Sequence, residues 1–294
     1  MTSTGTWTPG PSRTEGPAGS NPATPPAPPA PKPSRLAALR SRLYWGASDI
    51  AAITQRNLIG YTRIPEMMVF SSIQPIMFVL LFRYVFGGAI PVPGYNYVDY
   101  MMPGIFVQTV CFGAIYTALG LSEDLGKGLI ERFRSLPMAR SAVMAGRTTA
   151  DLFRNVFVVL LMTVVGVAVG FRSSTGFFSF MAGVFILLAF AYALSWFFAL
   201  IGLSARNAET AQAMAFPILF PLTFASSAFA PVQSMPGWLQ AFARNQPVSV
   251  VIDACRHLMV GGPIPGSAWK ALAWTVAMLA VFVPLAVRKY RRAG

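Results

Sequence analysis

One histidine, His257, and two cysteines, Cys111 and Cys255, are all that the 294 residues offer to metal binding or thiol chemistry. No zinc-type spacing relates them, no disulfide framework is visible, and a histidine-based triad or metal centre is excluded. The ten carboxylates are scattered, without the clustered set that acid–base catalysis uses. What the chain does offer lies in two interrupted segments, and neither is built for making or breaking bonds.

The first, Ser122–Arg147, reads SEDLGKGLIERFRSLPMARSAVMAGR. Leu125, Leu129, Phe133 and Leu136 recur at helical spacing, with Glu123 and Asp124 at the start and Arg132 and Arg134 near the end. That charge order matches the helix dipole, and Pro137 stops the helix. On periodicity alone the segment either docks onto another protein or lies on a membrane surface. The second, Pro221–Gly262, is punctuated by Pro231, Pro236-Gly237 and Pro247. Between the prolines lie two amphipathic pieces, Gly237–Arg244 and Val248–Val260, too short to cross a bilayer. Such pieces read as re-entrant or interfacial helices, and Trp238 and Trp269 suit the interface belt. The pair either caps a route between subunits or forms a passive plug.

The elements that hold these segments are apolar. The chain is 54% hydrophobic and 11% charged, against about 25% charged in a soluble domain. Six runs, near Glu66–Phe86, Met101–Leu121, Thr149–Gly170, Phe177–Leu203, Ala211–Phe229 and Ala268–Val287, are each long enough to span a core of about 30 Å. They do not alternate, which excludes a barrel. The expected fold is all-α: a six-span domain over 64–294, preceded by an amphipathic interface helix over 34–63 and a Pro-rich disordered tail over 1–33.

The net charge of +13 does not mark a nucleic-acid binder, because the basic residues fall between apolar runs rather than on one soluble face. Most of the 23 Lys and Arg lie in the tail, the surface helix, the second-to-third connection and the C-terminus. Only Arg83, Arg172, Arg244, Arg256 and Lys270 fall on the other side, so both termini are expected in the cytoplasm. Arg83 either snorkels to the headgroups or pairs with Asp99. Gln74-Pro75, Pro217 and Pro221 predict kinks, and the polar residues within spans are few: Gln74, Gln108, Thr109, Asn155, Ser195, Ser226 and Ser227. Asp151 reads as a span-end residue and Arg154 as part of the loop entering the third span. With so little buried charge, apolar or amphipathic cargo fits better than inorganic ions or a proton relay.

Two stretches resemble a known family, the membrane subunits of type-2 ABC exporters, especially the daunorubicin/doxorubicin-resistance permease branch. One holds Glu123-Asp124, Lys127-Gly128, Glu131-Arg132-Phe133-Arg134 and Leu136-Pro137-Met138-Ala139-Arg140. The other holds Leu222 through Phe229, Met235-Pro236-Gly237-Trp238-Leu239, Asn245-Gln246-Pro247 and Asp253 through Arg256. The resemblance implies a permease in the plasma membrane, a bacterial one by its composition, working with two ABC ATPase chains and a second permease chain, identical or not. It also implies cargo that is an amphipathic drug or lipid.

On that resemblance Glu123, Asp124, Lys127, Glu131, Arg132, Phe133, Arg134 and Pro137 would dock the ATPase. Pro231, Pro236, Trp238, Pro247, Asp253 and Arg256 would form an outer re-entrant gate, and Gln74, Gln108, Ser226 and Ser227 would line the path. No phosphate-binding loop occurs, so ATP and magnesium are expected on the partner ATPase and no cofactor on this chain. A secondary multidrug transporter would need no ATPase, but would usually show internal repeats and carboxylates within the spans.

Overall fold

The computed structural model describes residues 35–63, 65–87, 90, 92, 94–128, 140–261 and 267–292. Side chains are described at Tyr44 and from residue 46 onward, except at 61–62, 64–71 and 140–141. Glu131, Arg132, Phe133, Arg134 and Pro137 lie outside the described residues, as does the tail over 1–33.

The chain divides into two units, residues 1–40 and 41–294. Of the first, the described part is the opening turn and a half of a helix, α1 (Arg35–Arg63). The second is helical throughout, with no strand among the described residues. Its elements are α2 (Pro65–Leu81), continued by a π-helical turn at Phe82–Phe86, α3 (Tyr97–Gly126), α4 (Arg140–Val169), α5 (Phe177–Gly202) and α6 (Ala208–Phe224). A 3₁₀ turn at Val232–Ser234 leads to two short helices, α7 (Gly237–Asn245) and α8 (Pro247–Met259), and α9 (Ala268–Arg292) closes the chain. Among the described residues four helices are long and apolar enough to cross a membrane: α3, α4 from Ala142, α5 and α9.

The core is centred on α3. From Met101 to Cys111 every residue of this helix is buried, so it sits inside the bundle rather than at its edge. It packs against α4, α5, α6 and α8. Close approach is secured by small residues, as between helices in lipid. A Cβ on Gly202 of α5 would meet the Ala118 carbonyl oxygen at 2.5 Å, and one on Gly104 would meet the Ala228 carbonyl oxygen at 2.5 Å. Asn207 caps α6 by accepting the Thr210 amide at 2.8 Å.

Several boundaries differ from the sequence expectation: α3 starts at Tyr97 rather than Met101, α6 stops at Phe224 rather than Phe229, α9 runs to Arg292 rather than Val287, and two more lie at the connection after α3. The apolar run of the second span stops at Leu121, but α3 continues to Gly126 because its last turn is held by charges. Lys127 pairs with Glu123 at 3.3 Å, and Asp124 accepts from Arg147 at 3.0 Å. On the other side of that connection α4 already begins at Arg140 rather than Thr149. Asp151 and Arg154 are therefore interior positions, 0% and 5% exposed, and not a span end and a loop residue.

Where α3 ends, α1 packs on α4. Ile53 and Thr54 face Gly146, and Thr54 Oγ1 donates to the Gly146 carbonyl at 3.1 Å. Asp124 joins the two helices, lying 3.6 Å from Arg56 and 3.0 Å from Arg147. Gly120 is what lets Arg147 reach in, because a Cβ there would overlap its guanidinium. Gly120→Ala is expected to expel the Arg147 head and lose its bridge to Asp124. In a double-mutant cycle with Arg147→Gln, the two changes should cost no more together than the larger does alone, each about 1 kcal/mol or less. Thermal melts of the purified protein read this; full additivity would refute the link.

Candidate functional site

Two polar sites interrupt the apolar bundle. The first is built where α8 packs against the start of α3. Pro247 opens α8 at a position that needs no amide hydrogen, and Pro236 stands just before α7 in the same way. The α8 spacing then puts Asp253 and Arg256 on one face, three residues apart. Arg256 is 0% exposed. Its Nη1 donates to Asp253 Oδ1 at 2.7 Å, its Nη2 to the Ser227 carbonyl at 2.6 Å and its Nε to the Tyr100 carbonyl at 3.0 Å. The guanidinium also lies 3.8 Å above the Tyr100 ring.

The other groups close the knot. Ser227 Oγ donates to Asp253 at 2.7 Å, and the Tyr100 hydroxyl donates to the Ser227 carbonyl at 3.1 Å. Gln246 Nε2 donates to the Ala225 carbonyl at 2.7 Å. Burial pushes the Asp253 carboxyl up, and the Arg256 charge with the Ser227 hydrogen bond pulls it back. Ser226 is buried alongside. Thus Ser226, Ser227, Asp253 and Arg256 come together, while Trp238, in the first turn of α7, points out at 75% exposed. Pro231 precedes the 3₁₀ turn.

The far end of α8 is held as firmly. Its last carbonyls lack partners within the helix. The α4–α5 connection and the first turn of α5 supply them: Ser173 donates to Met259 O at 2.8 Å, Thr175 to Leu258 O at 2.7 Å, Ser179 to Leu258 O at 2.8 Å, and Ser174 to Val260 O. Gly261, at φ +74°, ends the helix in the left-handed region. Cys255 lies inside α8, fully buried beside Gly183, and burial pushes its thiol up to about 12. Asp99 turns to the Arg172 amide at 2.9 Å rather than to Arg83.

The second site is a cavity of about 320 Å³ between α2, α3, α4 and α6. Gln74 and Gln108 both line it, as do Phe78, Phe112, Tyr116 and Phe216; Ser226 and Ser227 do not. On its α4 side stand Arg154 and Asn155. Arg154 Nη2 donates to the Gly113 carbonyl at 2.6 Å, and its Nε lies 3.9 Å from Asp151 Oδ1. Asp151 Oδ2 accepts the Thr117 hydroxyl at 2.5 Å. Phe78 also begins an aromatic ladder through Phe82 to Phe229, whose rings stack 4.1 Å apart, so cavity and knot are joined by packed rings.

Sequence reasoning missed Asp151 and Arg154 as site residues. The signal was present: Arg147, Asp151, Arg154 and Asn155 recur at three and four positions, a polar stripe running into an apolar helix. Glu123, Asp124 and Lys127 end α3 at the opposite end of the bundle from the knot. Among the described residues no cluster of His, Cys, Asp and Glu could hold a metal ion.

Comparison with known proteins bears on both sites. The model of the ABC-2 type transporter family matches residues 48–260. The chain is 33% identical over 236 residues to a daunorubicin resistance ABC transporter permease protein of Streptomyces coeruleorubidus, covering 80% of this chain and 83% of that one. It is 27% identical over 264 residues to a probable doxorubicin resistance ABC transporter permease protein of Mycobacterium tuberculosis, covering 89% and 95%. A second permease protein of that organism, named for doxorubicin resistance, is 28% identical over 210 residues, covering 71% and 73%.

Proposed function

The chain belongs to the ABC-2 type transporter family, whose members named above are permeases, and from that premise we propose that it is the membrane-spanning subunit of an ATP-driven exporter of amphipathic drugs or lipids. The family match over residues 48–260 carries this reading, since it takes in both polar sites and the segment between α3 and α4. The permease performs no bond chemistry. ATP and magnesium belong to two copies of a separate ATPase, and a second permease chain completes the complex.

Six helices span: α2 with its π turn, α3, α4, α5, α6 and α9. The two that fall short of the long apolar helices, α2 and α6, are 17 residues each, at the lower limit for a span of about 17–25. The basic residues then put both termini, α1 and the C-terminal end of α3 in the cytoplasm of a bacterial cell. The short helices α7 and α8 dip into the outer leaflet, where hydrogen bonds within protein satisfy the irregular backbone around them.

Closure of the ATPase pair pushes on Glu123, Asp124, Lys127, Glu131, Arg132, Phe133, Arg134 and Pro137. Asp124, tied to both Arg56 and Arg147, passes the push to α1 and α4 together. Cargo enters beside Gln74 and Gln108 and leaves past Ser226 and Ser227, where Pro231, Pro236, Trp238, Pro247, Asp253 and Arg256 form the outer gate.

Purification of the chain from its native membranes in mild detergent should recover a stoichiometric ATP-binding subunit and vanadate-sensitive hydrolysis. Reversal of charge at Arg132 and Arg134 should leave insertion intact and lower transport per ATP hydrolysed at least tenfold. Recovery of the chain alone, with transport driven by an ion gradient, would instead establish a secondary transporter.

A further inference from the structure

The cavity between α2, α3, α4 and α6 carries donors that the chain does not satisfy. Gln108, Arg154 and Asn155 are 3%, 5% and 2% exposed, and all three line the cavity. Gln108 Nε2, Arg154 Nε and Asn155 Nδ2 have no hydrogen-bond partner within the chain. Natural proteins keep few such groups, because a buried donor without an acceptor costs the full desolvation of that group. Arg154 Nε faces Asp151 at 3.9 Å, but the Gln108 and Asn155 amides have no such partner, and together they mark a place where acceptors are to be brought in.

The orphan groups are all donors. The neighbouring acceptors are taken: Asn155 Oδ1 and the Gly113 carbonyl both receive from Arg154 Nη2. Charge is already balanced, since Asp151 faces Arg154 and takes the Thr117 hydroxyl. A ligand that completes this site therefore brings oxygen acceptors, charged or neutral. Around the polar wall stand Phe78, Phe112, Ile115, Leu119 and Phe216, which suit a ring system or the upper part of an acyl chain. About 320 Å³ lies at the small end of ligand pockets and admits a head group or fused rings.

We propose that this cavity is a cargo-recognition site selecting for an acceptor-only oxygen group on an apolar body, with Gln108 and Asn155 as its donors. The group is either the phosphodiester of a lipid or the carbonyl oxygens of an aromatic amphiphile. That the ligand is cargo rests on the exporter reading; that the cavity binds such a group does not.

The test uses the full chain purified in detergent, with two probes: doxorubicin, which carries carbonyl oxygens on fused rings, and phosphatidylglycerol in mixed micelles. Gln108→Leu and Asn155→Leu remove one orphan donor each, and Asn155→Asp removes the donor while keeping the side-chain shape and the acceptor for Arg154. Without a probe, Gln108→Leu should melt at or above the wild-type temperature, because a costly buried group is gone. Each variant should bind the recognised probe about five- to tenfold more weakly.

Weakened doxorubicin binding with unchanged lipid binding identifies carbonyl cargo, and the reverse identifies a lipid phosphodiester. Wild-type affinity for both probes in all three variants, or no binding of either probe to the wild type, would overturn the site and assign the donors to water. ATPase subunits co-purify in either case if the chain is an exporter, so loss of this site and loss of the exporter reading are separate results.

Discussion

Replacement of Arg256 by methionine is expected to remove a large share of the protein's stability. The side chain is wholly buried and gives hydrogen bonds to Asp253 and to two main-chain carbonyls, those of Tyr100 and Ser227. Methionine fills a similar volume but takes one donor from each carbonyl and from the carboxylate, leaving Asp253 with the Ser227 hydroxyl and the Ser227 carbonyl with the Tyr100 hydroxyl. Breaking a buried pair in this way costs about 3–5 kcal/mol, against a total stability of about 5–15 kcal/mol for a typical protein. Thermal melts in detergent, followed by the loss of the monodisperse peak on size exclusion, measure it.

Arg256→Lys is expected to recover little, since one ammonium cannot bridge three acceptors while lying flat on the Tyr100 ring. Asp253→Asn should cost less than half as much. Its side chain is 29% exposed, so water replaces part of what is lost. Wild-type melting of the methionine variant would show that the knot adds nothing to the fold.

The second large effect is at Asp151. Changed to leucine, it leaves Arg154 charged, 5% exposed and without its counter-ion, and frees the Thr117 hydroxyl. The expected loss is again about 3–5 kcal/mol. The two cases part at the double mutant. Asp151→Leu with Arg154→Leu removes both charges from an apolar helix face, and buried pairs exchanged for hydrocarbon are often neutral or stabilising. The double variant should therefore melt near the wild type while the single one does not. A double variant as weak as Asp151→Leu would mean that the carboxylate acts through partners other than Arg154.

The helices themselves were legible because each apolar run is long and uninterrupted, and the six runs anticipated α2, α3, α4, α5, α6 and α9 in place and order. The short helices α7 and α8 were legible from Pro236-Gly237 and Pro247, which mark their starts. The grouping of Ser227, Asp253 and Arg256 was half visible. Asp253 and Arg256 share a helix face by spacing alone, but Tyr100, whose carbonyl and ring receive Arg256, lies far away in the chain and gives no local sign.

Asp151 and Arg154 were misplaced for a physical reason. Counting basic residues assigns any arginine near the edge of an apolar run to the adjoining loop. Here the helix starts at Arg140, in the polar stretch before the run, so the same residues lie several turns inside it. Long-range pairing with Thr117 and Gly113 on α3 makes the burial tolerable, and nothing local announces those partners.

The two cysteines have a practical consequence. Both are sealed in packed interior, Cys111 on α3 and Cys255 on α8. Maleimide reagents modify exposed thiolates, so the natural chain is already a silent background for labelling. A single new cysteine at exposed Lys127 or exposed Trp238 then stands as the sole reactive handle at one end of the bundle or the other. Sidedness can be read in right-side-out and inverted vesicles without first stripping the native thiols, which would open holes beside Gly183 and in the most buried helix.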